Sequence, residues 1–125
     1  MTAALRYFVA LFGAVCIGIA LVHIIFGPAS IPDSVPVNAT MDSEDRFYAT
    51  LFLGFGAALV WVSRDLGRRG MVFFALLGVF FLGGIARIIS CFAVGPPIPM
   101  FVFLGSLELI LPPLLWRWHR WAFPD

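Results

Sequence analysis

Four apolar stretches, each long enough to cross a bilayer as a helix, constrain this chain more than any other feature. They cover about residues 5–27, 45–63, 71–94 and 98–116. A spanning helix needs about 20 apolar residues. The hydrocarbon core has no water to satisfy open backbone groups, so helices are the expected form. Composition agrees, with 62% hydrophobic and 12% charged residues, against roughly half and a quarter in soluble domains. A soluble fold of 125 residues has too little interior to hide that much apolar surface. The expected fold class is an all-α membrane protein: one domain, a four-transmembrane-helix up-down bundle.

The first segment follows Arg6 and carries only His23 near its far end. A signal peptide is the rival assignment. The run exceeds the usual h-region of about 7–15 residues, and no convincing cleavage pattern follows, so a retained helix is expected. Gly27 and Pro28 end it, and residues 28–43, with Pro28, Pro32 and Pro36, read as a long outer loop. Asn38-Ala39-Thr40 matches a glycosylation sequon, a three-residue match too common to carry weight. Asp42, Glu44 and Asp45 stand where a second helix should begin, and carboxylates there suit the helix dipole. In that helix Arg46, Ala49, Thr50, Leu53, Gly54 and Ala57 predict one small, partly polar face. Small residues let membrane helices approach closely.

The arginines set the orientation. Every basic residue is Arg. With four crossings, Arg6, Arg64, Arg68, Arg69, Arg117 and Arg120 fall on one side, and only Arg46 falls on the other. The positive-inside rule then places both termini and the Arg64–Arg69 turn in the cytoplasm. The Arg117-Trp118-His119-Arg120-Trp121 stretch has the composition of a membrane interface. The expected location is the inner (cytoplasmic) membrane of a bacterium, multi-pass.

Two charges lie inside the third and fourth segments. Arg87 is ten residues before Pro97 and Glu108 eleven after it. In an antiparallel hairpin both sit roughly 15 Å along their helices, at matching depth. A charge near the bilayer centre costs about 2.5–3.5 kcal/mol on insertion scales, so an Arg87–Glu108 pair is expected. Gly83, Arg87, Ser90 and Val94 share a face, with Cys91 beside it. Pro112 and Pro113 remove the amide hydrogens that would bond the carbonyls of residues 108 and 109, so the fourth helix is expected to loosen just below Glu108. His23 and Arg46 bring polar groups to the outer ends of the first two helices. The candidate site is thus a polar cluster of Arg87, Glu108, Ser90, His23 and Arg46 open to the outer face. A structural ion pair that only holds two helices together is the competing account.

Absences narrow the function. Glu108 is the only acid inside a span, so no paired-carboxylate site forms. The two histidines lack metal spacing, and Cys16 and Cys91 read as small buried hydrophobes. No cofactor, metal site or nucleic-acid partner is expected. Expected partners are membrane lipid, a lipid-like ligand, and a second copy or another membrane protein. The leading function is a non-enzymatic binding or accessory protein for a small amphipathic ligand. One alternative is a membrane enzyme using Glu108 as acid/base with Arg87 as its electrostatic partner. Another is a proton- or ion-linked transporter through Glu108 and His23.

The pattern Gly84-x-x-Arg87-x-x-Ser90, Gly95-x-Pro97 and then Glu108 resembles an uncharacterised bacterial membrane family, domain of unknown function 4345. Glu44-Asp45-Arg46-Phe47-Tyr48 leading into Gly54-x-Gly56 is similar to that family's second segment. The likeness covers roughly residues 43–116, and the first segment only in general character. It implies a compact four-helix membrane protein, distantly like the DoxX-type families, and brings no established activity.

Overall fold

The computed structural model describes residues 2–124. Four α-helices follow one another: α1 (Thr2–Phe26), α2 (Ala39–Ser63), α3 (Gly70–Val94) and α4 (Pro99–Ala122), with a short 3-10 turn at Gly27–Ser30. All four are long and apolar enough to cross a membrane, and the chain is a multi-pass membrane protein by that measure. Large apolar side chains such as Val79, Leu82, Ile89 and Phe92 are exposed on α3. That surface suits lipid contact and would be a liability in water. The chain forms two compact units, residues 6–64 and residues 65–124 with the first few described residues.

The first unit is an antiparallel pair, α1 with α2. Val9, Gly13, Cys16 and Ala20 are buried along one stripe of α1, at the four- and three-residue spacing of a helical face. Gly13 and Gly56 meet where the helices cross. A Cβ at Gly13 would stand 2.6 Å from the Gly56 carbonyl oxygen, and one at Gly56 would stand 2.7 Å from that of Gly13. This close approach corrects the small face read from the sequence. Gly56 is the packing glycine, whereas Gly54 has nothing within 4 Å, and Thr50 and Ala57 are exposed.

The start of α2 also differs from expectation. It begins at Ala39, six residues before the expected 45. The extended Asn38 accepts a 2.9 Å hydrogen bond from the Met41 amide, an N-cap that satisfies one orphan donor of the first turn. Residue 38, a sequon residue in the sequence reading, is therefore a helix signal. Only Asp42 lies in the first turn, and Glu44 and Asp45 fall later in the helix. The loop between the first two helices shrinks accordingly, to the residues between Ser30 and Ala39.

The second unit is the antiparallel hairpin of α3 and α4. Gly95 closes α3 with φ +109, a backbone that L side chains rarely adopt, and its amide donates to the Cys91 carbonyl at 3.0 Å. Pro99 opens α4 at a position where a missing amide hydrogen costs nothing. Phe73, Leu77 and Gly84 of α3 are buried, as are Gly105, Pro112, Leu115 and His119 of α4. Helix α4 runs through Pro112 and Pro113 without a break in its assignment and continues to Ala122, six residues past the expected 116.

Candidate functional site

The α3–α4 hairpin carries the central feature. Helix α3 places Arg87 seven residues before its end, and α4 places Glu108 nine residues after its start. Those counts correspond to roughly 11 and 14 Å of helix, so the two charges meet. Arg87 Nε donates to Glu108 Oε1 at 2.6 Å, a short charge-assisted bond. Two glycines make room for it. A Cβ at Gly84 would lie 2.8 Å from Leu109 Cδ2 and 3.1 Å from Glu108 Cβ, and one at Gly105 would lie 3.2 Å from Arg87 Cδ. The guanidinium carbon stands 5.7 Å from the centre of the Phe101 ring, within cation–π range.

The pair is lopsided. Glu108 is enclosed, with 12% of its side chain exposed, whereas Arg87 is 42% exposed. Gly105 is buried against the aliphatic stem of Arg87, where a Cβ would lie 3.2 Å from Cδ. Only Nε of Arg87 is engaged. Its Nη1 and Nη2 have no hydrogen-bond partner among the described residues. Ser90, one turn further along α3, is exposed and likewise makes no side-chain hydrogen bond among the described residues. Pro112 has no amide hydrogen for the backbone carbonyl of Glu108, which leaves a further acceptor in this region.

His23 and Arg46 belong to the α1–α2 unit, and each has partners there. His23 Nδ1 lies 3.2 Å from Asp45 Oδ2. All three guanidinium nitrogens of Arg46 are engaged: Nε donates to Asp42 Oδ1 at 2.7 Å, Nη2 to Asp42 Oδ2 at 3.4 Å, and Nη1 to the Ile24 and Ile25 carbonyls at 2.6 and 3.2 Å. The last carbonyls of a helix lack intrahelical partners, and Arg46 caps those of α1. Gly27 makes this geometry accessible. Its φ is +70, and a Cβ there would fall 2.7 Å from Arg46 Nη2. The Asp42-to-Arg46 spacing of four residues was a legible signal for this ion pair. Asp42, one turn earlier on α2, thus balances Arg46.

The residue missed from sequence is His119. Its ring is buried, and Nε2 donates to the Leu66 carbonyl at 2.8 Å. The rings of Phe73, Phe74 and Phe123 surround it, with centres 4.8–5.6 Å away. This bond ties the turn before α3 to the end of α4. No local pattern announces it, because the partner is a backbone carbonyl fifty-three residues away. Of the cysteines, Cys16 is buried as expected and Cys91 only half-buried.

No curated protein and no solved structure matches this chain. One family model does, over residues 4–119, almost the whole length and including every residue of the Gly84–Glu108 pattern. By that match the chain belongs to the family described as Domain of unknown function (DUF4345).

Proposed function

We propose that the protein is a non-enzymatic binding or accessory protein of the cytoplasmic membrane, taking a small amphipathic or lipid-like ligand through Arg87. The observation that carries this is the contrast between two arginines. Arg46 spends all three nitrogens on partners in its own hairpin. Arg87 spends only Nε and keeps both terminal nitrogens unpartnered among the described residues, inside a span. Donors in such surroundings need an acceptor, and a carboxylate, phosphate or hydroxyl of an amphiphile supplies one in fork geometry. Ser90 adds a hydroxyl one turn away. Toward the middle of the hairpin, an apolar crevice of about 260 Å³, with Leu77, Phe81, Pro112 and Trp116 in its walls, favours a hydrocarbon chain. Glu108 holds the arginine in place.

Native mass spectrometry of detergent-purified protein tests this. Wild type should retain an amphiphile, and Arg87→Gln should lose it while staying folded. A well-folded wild type without any adduct refutes the proposal, as does an Arg87→Gln variant that binds as many amphiphile molecules per chain as wild type. The exchange Arg87→Glu with Glu108→Arg asks whether the pair acts by packing alone. If the exchanged protein folds and keeps full cellular function, ligand recognition by Arg87 is ruled out. Proton flux in proteoliposomes that disappears in Glu108→Gln would assign transport instead.

A further inference from the structure

The opposite end of the α3–α4 hairpin holds a second polar opening, about seventeen residues of α3 away from Arg87. It is a crevice of about 660 Å³ where the turn before α3 meets the last turn of α4. Arg68 and Arg120 line it, together with Met71, Phe74, Phe123 and His119. Neither arginine has an ion-pair partner among the described residues. The start of α3 adds to the positive field. Its N-cap, Arg69, makes no side-chain capping bond, and no acidic residue occurs in its first turn, so the amides there are uncapped. His119 is more than nine-tenths buried, and its Nδ1 has no hydrogen-bond partner among the described residues. With Nε2–H committed to the Leu66 carbonyl, Nδ1 is an acceptor and calls for a donor, such as a water that also bridges to a group bound in the crevice.

We propose that this crevice is a binding site for the phosphate headgroup of an anionic phospholipid, separate from the Arg87 site. Two arginines and an uncapped helix start match a phosphate. The remaining wall is methionine and phenylalanine, and the site lies at the end of two spanning helices. A headgroup with acyl chains satisfies both halves, whereas a free phosphate uses only the polar half. The end of α4, with Trp118 and Trp121 on either side of Arg120, has the composition of a membrane interface, where indole rings and positive charge settle.

The test titrates full-length protein in detergent with phosphatidylglycerol, with phosphatidylcholine, and with inorganic phosphate, read by native mass spectrometry. Phosphatidylglycerol should bind preferentially. A basic side chain near an anionic lipid surface contributes about fivefold, so Arg68→Gln with Arg120→Gln should weaken binding by about 25-fold. Each single variant should weaken it about fivefold, which keeps the test informative if the double variant does not fold. Arg117→Gln removes an equal charge from the same helix outside the crevice and should change little. The proposal is overturned if Arg117→Gln weakens binding as much as Arg120→Gln, since only net charge would then matter. It is also overturned if phosphatidylcholine binds equally well, or if inorganic phosphate binds as tightly as the lipid. Arg87→Gln should leave this binding intact, which separates failure here from failure at the other site.

Discussion

A double-mutant cycle on Arg87 and Glu108 tests the central geometry most directly. The perturbations are Arg87→Met, Glu108→Leu and the two together. Glu108→Leu leaves a guanidinium that cannot shed its charge, at a depth where an isolated arginine costs about 2.5–3.5 kcal/mol. The 42% exposure of Arg87 lets its long stem carry the charge toward a wetter position, so about 2–3 kcal/mol is expected. Arg87→Met strands the more enclosed Glu108. Breaking a buried pair costs about 3–5 kcal/mol, and with one partner this open about 2–4 kcal/mol is expected. The double variant strands nothing and should fall within about 1 kcal/mol of wild type, since apolar replacements of paired charges are often neutral. The coupling should therefore be about 3 kcal/mol or more. Unfolding in mixed micelles by dodecyl sulfate titration, followed by tryptophan fluorescence, supplies the four free energies. Additive single effects, with a coupling below about 0.5 kcal/mol, would refute the reasoning. The 2.6 Å contact would then be energetically idle.

Three further predictions use the same unfolding assay. Gly56→Ala should destabilise the α1–α2 hairpin by about 1–3 kcal/mol, because its Cβ meets a backbone carbonyl at 2.7 Å; Gly54→Ala, in open space, should be neutral or stabilising by up to about 1 kcal/mol. His119→Phe keeps the ring contacts but leaves the Leu66 carbonyl without its donor, at about 1–3 kcal/mol; a neutral result would mean that this bond does not hold the turn. Asn38→Ala should cost about 1 kcal/mol, and Asn38→Asp, which keeps the acceptor, should restore most of it.

Neutral burial and charged pairing were not equally legible. Helix number and type followed from the apolar runs, because a bilayer leaves the backbone no other way to satisfy itself. The Arg87–Glu108 contact followed from counting residues to a shared proline turn, since an antiparallel hairpin converts equal counts into equal depth. The Asp42–Arg46 pair was present as an i,i+4 spacing. The helix boundaries at Ala39 and Ala122 were less accessible. One is marked by a single side-chain cap at Asn38, and the other lies in an interfacial Trp/Arg stretch where hydropathy no longer distinguishes helix from tail.

The sequence by itself determined four spanning helices and the depth of their inner charges, because length, hydropathy and spacing are properties of the chain alone. Tertiary structure decided which glycine allows close approach, with Gly56 packed and Gly54 open, because azimuth around a helix is settled only by the neighbour it meets. It also decided which arginine is spare. Arg46 finds the open carbonyls at the end of α1 and is consumed by them. Arg87 meets one enclosed carboxylate across a glycine and keeps two nitrogens unpartnered among the described residues. The supply of acceptors around a donor depends on the fold, and composition cannot report it.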